Sequence, residues 1–156
     1  MKKINFLWIL CFIFLFSSCF KTTHFQQKKY FPKGFKKVYF GLPLNDFMED
    51  NKDATIEKKS VFKFRTTVYG TCNNKDIKKV TYYFDNDGEK PLYEFIIEYN
   101  DSLVRNKIIK NLYSKPNFND EWRFNSKEGF DIMVWKYESK LIIAGKIKDS
   151  EWENQE

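Results

Sequence analysis

The chain has 156 residues, of which 27 are Lys or Arg and 21 Asp or Glu, giving a net charge of +6 with 42% hydrophobic and 19% aromatic content. Such aromatic content excludes an intrinsically disordered chain, and the length suits one domain with its own core but not two comfortable ones. The single histidine, His24, lies in a polar stretch near the N-terminus, which removes histidine-based triads and most zinc sites, and there is no Gly-rich phosphate loop, C-x-x-C or G-x-S-x-G. No cofactor or metal is expected.

Lys2 and Lys3 lead into an unbroken apolar run of eleven residues, Phe6 to Phe16, followed by Ser17, Ser18 and Cys19. A helix crossing a bilayer needs roughly 20 apolar residues, whereas a secretory signal needs about 7 to 15 before small residues. The order basic, apolar, small therefore predicts a signal peptide over residues 1–18. The spacing F-S-S-C at 16–19 resembles the lipobox of bacterial lipoproteins, with Phe16 where Leu is usual. That resemblance implies a diacylglyceryl group on the Cys19 thiol, cleavage before it and acylation of the new amine, so that palmitate-like chains anchor the protein to a lipid membrane without spanning it. Phe20 after the cysteine, where Asp would favour inner-membrane retention, points to the outer membrane, facing the periplasm. The alternative is an unmodified cysteine beside an ordinary cleavage site, in which case a bridge from Cys19 to Cys72 is conceivable. With Cys19 lipidated and Cys11 removed, Cys72 is the only free thiol, read as a buried or turn residue rather than a nucleophile.

Loss of Lys2 and Lys3 lowers the charge to +4 on the remaining 138 residues. Between Phe20 and Asn45 there are six lysines and no acid, while the last eight residues hold four acids and no base. Residues 19–37 are accordingly read as a lipidated, basic tether in which Lys21, Lys28 and Lys29 lie near anionic headgroups, each attracted by on the order of 1 kcal/mol; a merely soluble linker is the alternative. An exported protein offers no occasion for nucleic acid, so the positive charge is assigned to the membrane.

The folded domain is expected over 38–148, ending in an acidic tail over 149–156. "GLPLNDFMEDN" predicts a short helix from Pro43 to Asn51 with Leu44, Phe47 and Met48 on one stripe and Asp46 in its first turn. "SVFKFRTTVY" alternates, placing Phe62, Phe64, Thr66 and Val68 on one face of a strand and Lys63, Arg65 and Thr67 on the other. Asp87-Gly88 predicts a turn between two further strands, and "DNDGE" reads as that turn rather than as a calcium loop. On the second arm Tyr93, Phe95, Ile97 and Tyr99 are assigned to the core side, and Leu92, Glu94, Ile96 and Glu98 to the other. "DSLVRNKIIKNLYSKPN" returns to helical spacing, capped by Asp101 or Ser102, with Val104, Ile108 and Leu112 inward and Arg105 with the lysines outward. Three strands follow, at about 120–125, Phe130–Tyr137 and Leu141–Lys148, with a tight turn at "YESK".

The order helix, three strands, helix, three strands predicts an α+β fold: one antiparallel β-sheet of about five to six strands with two helices packed on one face, an order that a duplicated helix-plus-meander unit would give. At the residues "GLPLNDF" the pattern is similar to small lipoproteins of the outer-membrane assembly and β-lactamase-inhibitor-like group, although the Gly-x-Pro that usually follows that helix is missing after Asn51. The missing catalytic inventory and a surplus of Tyr and Trp over what a small sheet must bury lead instead to the expectation of a non-catalytic binding or assembly module with an envelope protein as partner, and no enzymatic activity. Tyr83, Trp122 and Trp135 are the aromatic residues expected on its binding face. Two other readings stay open. One is a small envelope hydrolase, for which Glu94 and Glu98 share a strand face at an expected separation of about 7 Å. The other is an inhibitor or immunity protein for a secreted enzyme.

Overall fold

The computed structural model describes residues 27–35, 37–58, 62–125 and 130–147. The signal peptide, Cys19, Lys21, His24 and the acidic tail lie outside them. No helix among the described residues is long and apolar enough to cross a membrane.

A 3₁₀ turn, Gln27–Tyr30, opens the described chain, and α1 spans Leu44–Asp50 and α2 Ser102–Leu112. The strands are β1 (Thr55–Ile56), β2 (Arg65–Gly70), β3 (Ile77–Asp85), β4 (Leu92–Tyr99), β5 (Trp122–Asn125), β6 (Phe130–Tyr137) and β7 (Lys140–Ile147). They form one antiparallel sheet in the order β1-β2-β3-β4-β7-β6-β5. The α+β class holds, with seven strands rather than five or six. The extra one is the two-residue β1, paired with Val68 and Tyr69 and too short to carry an alternating pattern. α1 precedes a meander of four strands, β1 to β4, and α2 one of three, β5 to β7, and the two meet at their last strands, where Ile96 of β4 pairs with Ile142 of β7.

One face of the sheet is the core. Val68, Val80, Tyr82, Phe84, Phe95, Ile97, Ile132, Val134, Leu141 and Ile143 are buried on it, each worth about 1.5–3 kcal/mol when fully withdrawn from water. From α1, Phe47 packs its ring 4.6 Å from Tyr82 and 5.2 Å from Phe84. Tyr113, at the end of α2, lies 5.4 Å from Trp122 and 6.0 Å from Phe124. Gly145 admits the ring of Phe40, since a Cβ there would stand 2.3 Å from it.

Four details depart from the sequence reading. First, β2 begins only at Arg65, leaving Phe62 and Phe64 44% and 63% exposed rather than in the core. Second, a β-bulge opposite Tyr83 sets both Tyr93 and Glu94 against it, so Leu92 turns inward at 0% exposure and Tyr93 joins the outer face. Third, α2 buries Arg105 and Ile109, with Val104, Ile108 and Leu112 only partly covered. The guanidinium of Arg105 is satisfied by the carbonyl of Glu138 and the side chain of Asn106, which makes its burial affordable.

Fourth, the segment read as tether up to residue 37 is folded from Gln27 onward. Gln27 is 1% exposed and its Oε1 accepts the backbone N–H of Phe40 at 2.8 Å. Phe31 packs edge-on against Phe40 and Phe95 at 5.4 and 5.1 Å, and the Tyr30 carbonyl accepts the Tyr113 hydroxyl. Lys residues masked the aromatic periodicity here: Tyr30, Phe31 and Phe35 belong to the core cluster or pack against it.

The outer edge of β5 is occupied by a side chain. Asn117 accepts the N–H of Arg123 through Oδ1 and donates from Nδ2 to its carbonyl, both at 2.8 Å.

Candidate binding face

Pairing places the other face of the sheet residue by residue. Thr67, Tyr83, Glu94, Ala144 and Met133 form one row across five strands, and Tyr69, Thr81, Ile96, Ile142 and Trp135 form the next. A third row holds Glu98, Lys140 and Tyr137. Small residues in these rows, Thr67, Thr81, Ala144, and also Ile142, are buried between larger neighbours. Tyr69, Tyr83, Glu94, Ile96, Met133 and Trp135 are half-exposed. A groove of about 280 Å³ runs over Thr67, Thr81 and Ile96, with Arg65, Lys79 and Lys140 among the cations at its rim and Glu57 and Glu98 as the anions.

Arg65 organises one end of this face. Its guanidinium lies 3.9 Å from the ring centre of Tyr83 and 4.2 Å from that of Phe62, with Phe64 at 5.7 Å, and it hydrogen-bonds Tyr93. Such stacking holds a planar cation between apolar surfaces without stripping it of partners. Tyr83 and Tyr93 stack at 6.4 Å, a contact made possible by the bulge. Burial pushes the Tyr93 hydroxyl up to about 12, and it raises Tyr83 as well, with Arg65 opposing in both cases.

Glu94 sits beside this cluster. Burial raises its carboxyl from 4.5 to about 7, and the charge of Arg65 pulls the other way without cancelling the effect. At the other end of β4, Glu98 is lowered, first by its hydrogen bond with Lys78 at 2.7 Å. Tyr69 donates to Glu57 Oε1 at 2.7 Å, the main cause of its raised value, and Lys79 lies 3.9 Å over its ring.

The hydrolase geometry expected of Glu94 and Glu98 is not met. Both are on this face, but four residues of strand separate them, or about 13 Å at roughly 3.4 Å per residue, and Ile96 stands between. The expected 7 Å is the spacing of two residues. A retaining or inverting pair needs about 5 to 9.5 Å. Among the described residues, no cluster of three or more His, Cys, Asp or Glu could hold a metal ion. Asp85 Oδ1, in the turn that resembles a calcium loop, accepts the N–H groups of Asn86 and Asp87 at 2.6 and 3.2 Å, as a turn residue does.

Of the aromatic residues expected to bind, Tyr83 and Trp135 do share the half-exposed face. Trp122 does not: it is 3% exposed on the core face, with its indole N–H donating to the Ser114 carbonyl at 2.7 Å. Pairing opposite Val134 put its alternation on the inner side. Lys28 and Lys29 are the central residues of the 3₁₀ turn on the folded body, and Lys29 lies 4.7 Å over the ring of Tyr30. Cys72 is free and packs partly buried against the core. Sequence reasoning missed Arg65, although "FKFR" places an arginine beside two alternating aromatics and could have signalled the cluster. Comparison with known proteins found no matching family model, no similar curated protein and no similar solved structure.

Proposed function

We propose that this protein is a non-catalytic binding or assembly module of a bacterial envelope, anchored by acylated Cys19 to the outer membrane and engaging an envelope protein through the half-exposed sheet face. In this reading both helices and the N-terminal segment pack on the opposite side, as the contacts of Phe47, Tyr113 and Phe31 favour. The observation that carries the proposal is the row structure of that face. Tyr69, Tyr83, Ile96, Met133 and Trp135, from four strands, stand half-exposed with Arg65 at one end, and aromatic residues and Arg are the types that supply contact area at protein interfaces at low entropic cost. Lys21, Lys28 and Lys29 would add attraction to anionic headgroups near the anchor.

Crosslinking and pull-down from the native envelope, run on the wild type, Cys19→Ser and the double variant Tyr83→Ala/Trp135→Ala, tests it. A reproducible partner recovered with the wild type and lost with both variants is the expected result. Recovery of the same partner with the folded double variant would remove the face from the proposal. Its recovery with Cys19→Ser would remove the anchor, and the absence of any partner would end the assembly-module reading.

A further inference from the structure

On the other side of the sheet from the face just described, a cavity of about 500 Å³ opens between α2, the start of β3, the end of β4 and the segment after the 3₁₀ turn. Its volume falls within the roughly 300–1,000 Å³ of small-molecule sites. The walls are apolar: Ile108 and Leu112 from α2, Ile77 from β3 and the ring of Tyr99 from β4. Lys33, Asn74 and Asn111, all exposed, supply the polar lining. No acidic side chain lines the cavity among the described residues, so Lys33 is its one charged group. Tyr99 is 2% exposed, yet its hydroxyl has no hydrogen-bond partner among the described residues. That hydroxyl is closed off from water, so Tyr99 offers the cavity its ring and not a polar group.

We infer that this cavity binds a single-chain amphiphile with an anionic head, the apolar chain against Ile77, Ile108 and Leu112 and the head at Lys33, Asn74 and Asn111. An ammonium and two side-chain amides offer several donors and match a carboxylate or a phosphate, while a cationic head would meet Lys33 unpaired. Branched aliphatic walls suit an acyl chain, whose methylenes are withdrawn from water against them.

The test is titration of the full chain with a dansyl-labelled undecanoic acid, whose emission rises on entering an apolar site, with the corresponding alkylamine as the head-group control. Displacement by unlabelled dodecanoate and by a lysophosphatidic acid of the same chain length separates a free fatty acid from a lipid headgroup as the source of the anion. Saturable binding of the acid, at least roughly tenfold tighter than the amine, is expected. Ile108→Trp, which fills the cavity, should abolish it. Because Ile108→Trp could perturb packing of α2, the exposed Lys33→Glu serves as the second variant: it should weaken the acid by roughly tenfold or more and leave the melting temperature unchanged, while Lys33→Arg retains binding. Absence of binding by the wild type, equal affinity for acid and amine, or indifference to Lys33→Glu would each overturn the inference.

Discussion

At the scale of single residues, Glu94 carries the clearest pH signature. Its folded carboxyl titrates at about 7 and its ordinary value is 4.5, so the folded state holds a proton that the unfolded chain has released between those limits. The associated stability is present below pH 4.5 and lost as the pH rises through 7, a difference of at most a few kcal/mol and smaller where water reaches the half-exposed side chain. Denaturant unfolding at about pH 5 and about pH 8 should show the wild type more stable at the lower value. Glu94→Gln should flatten that contribution, and an unchanged slope in the variant would assign it to other groups. Gly145 makes a second, purely steric case. Its missing side chain is filled by the ring of Phe40, a residue with no exposed surface, so Gly145→Ala forces the ring or the β7 backbone to move. A loss of about 1–3 kcal/mol in unfolding free energy is expected. Gly34, with nothing near its Cβ position, would suffer only from its φ of +107°.

Among elements, α2 and β4 show how far local pattern reaches. Asp101 accepts the N–H of Leu103 at 2.8 Å and caps α2, so Asp101→Ala should cost about 0.5–2 kcal/mol, measurable by thermal or denaturant unfolding, whereas Ser102→Ala should cost less. This cap, the bounds of α1 and the β6–β7 hairpin were legible because they depend on neighbours in sequence. The bulge was not: whether Leu92 or Tyr93 turns inward is decided by the partner Tyr83, and either residue is apolar enough to take the core position. Arg105 looked like surface charge until the carbonyl that satisfies it, that of Glu138, 33 residues away, was in place. Trp122 failed as a binding residue for a related reason, since its indole N–H finds the Ser114 carbonyl and its ring finds Tyr113. Tyr83 and Trp135 were expected to bind because they are aromatic, and strand pairing brings them to the outer face from opposite meanders.

For the whole molecule, the N-terminal segment is part of the core. Phe31 touches both Phe40 and Phe95, the latter at the centre of the buried face, so Phe31→Ala should lower unfolding free energy by about 3–5 kcal/mol. A chain beginning after Phe35 should lose cooperative thermal unfolding, because Gln27, Phe31 and Phe35 leave together; a sharp transition in that truncation would show the segment to be an accessory. The amide of Asn117 has a different reach. By taking both backbone groups of Arg123, it stands where the next strand of a growing sheet would have to bind, while β1 covers only Val68 and Tyr69 at the far edge. Edge strands left open are templates for polymerisation. Replacing Asn117 by alanine would remove this stopper, and the cost would appear first as slow fibril growth in concentrated solution rather than as a lowered melting temperature.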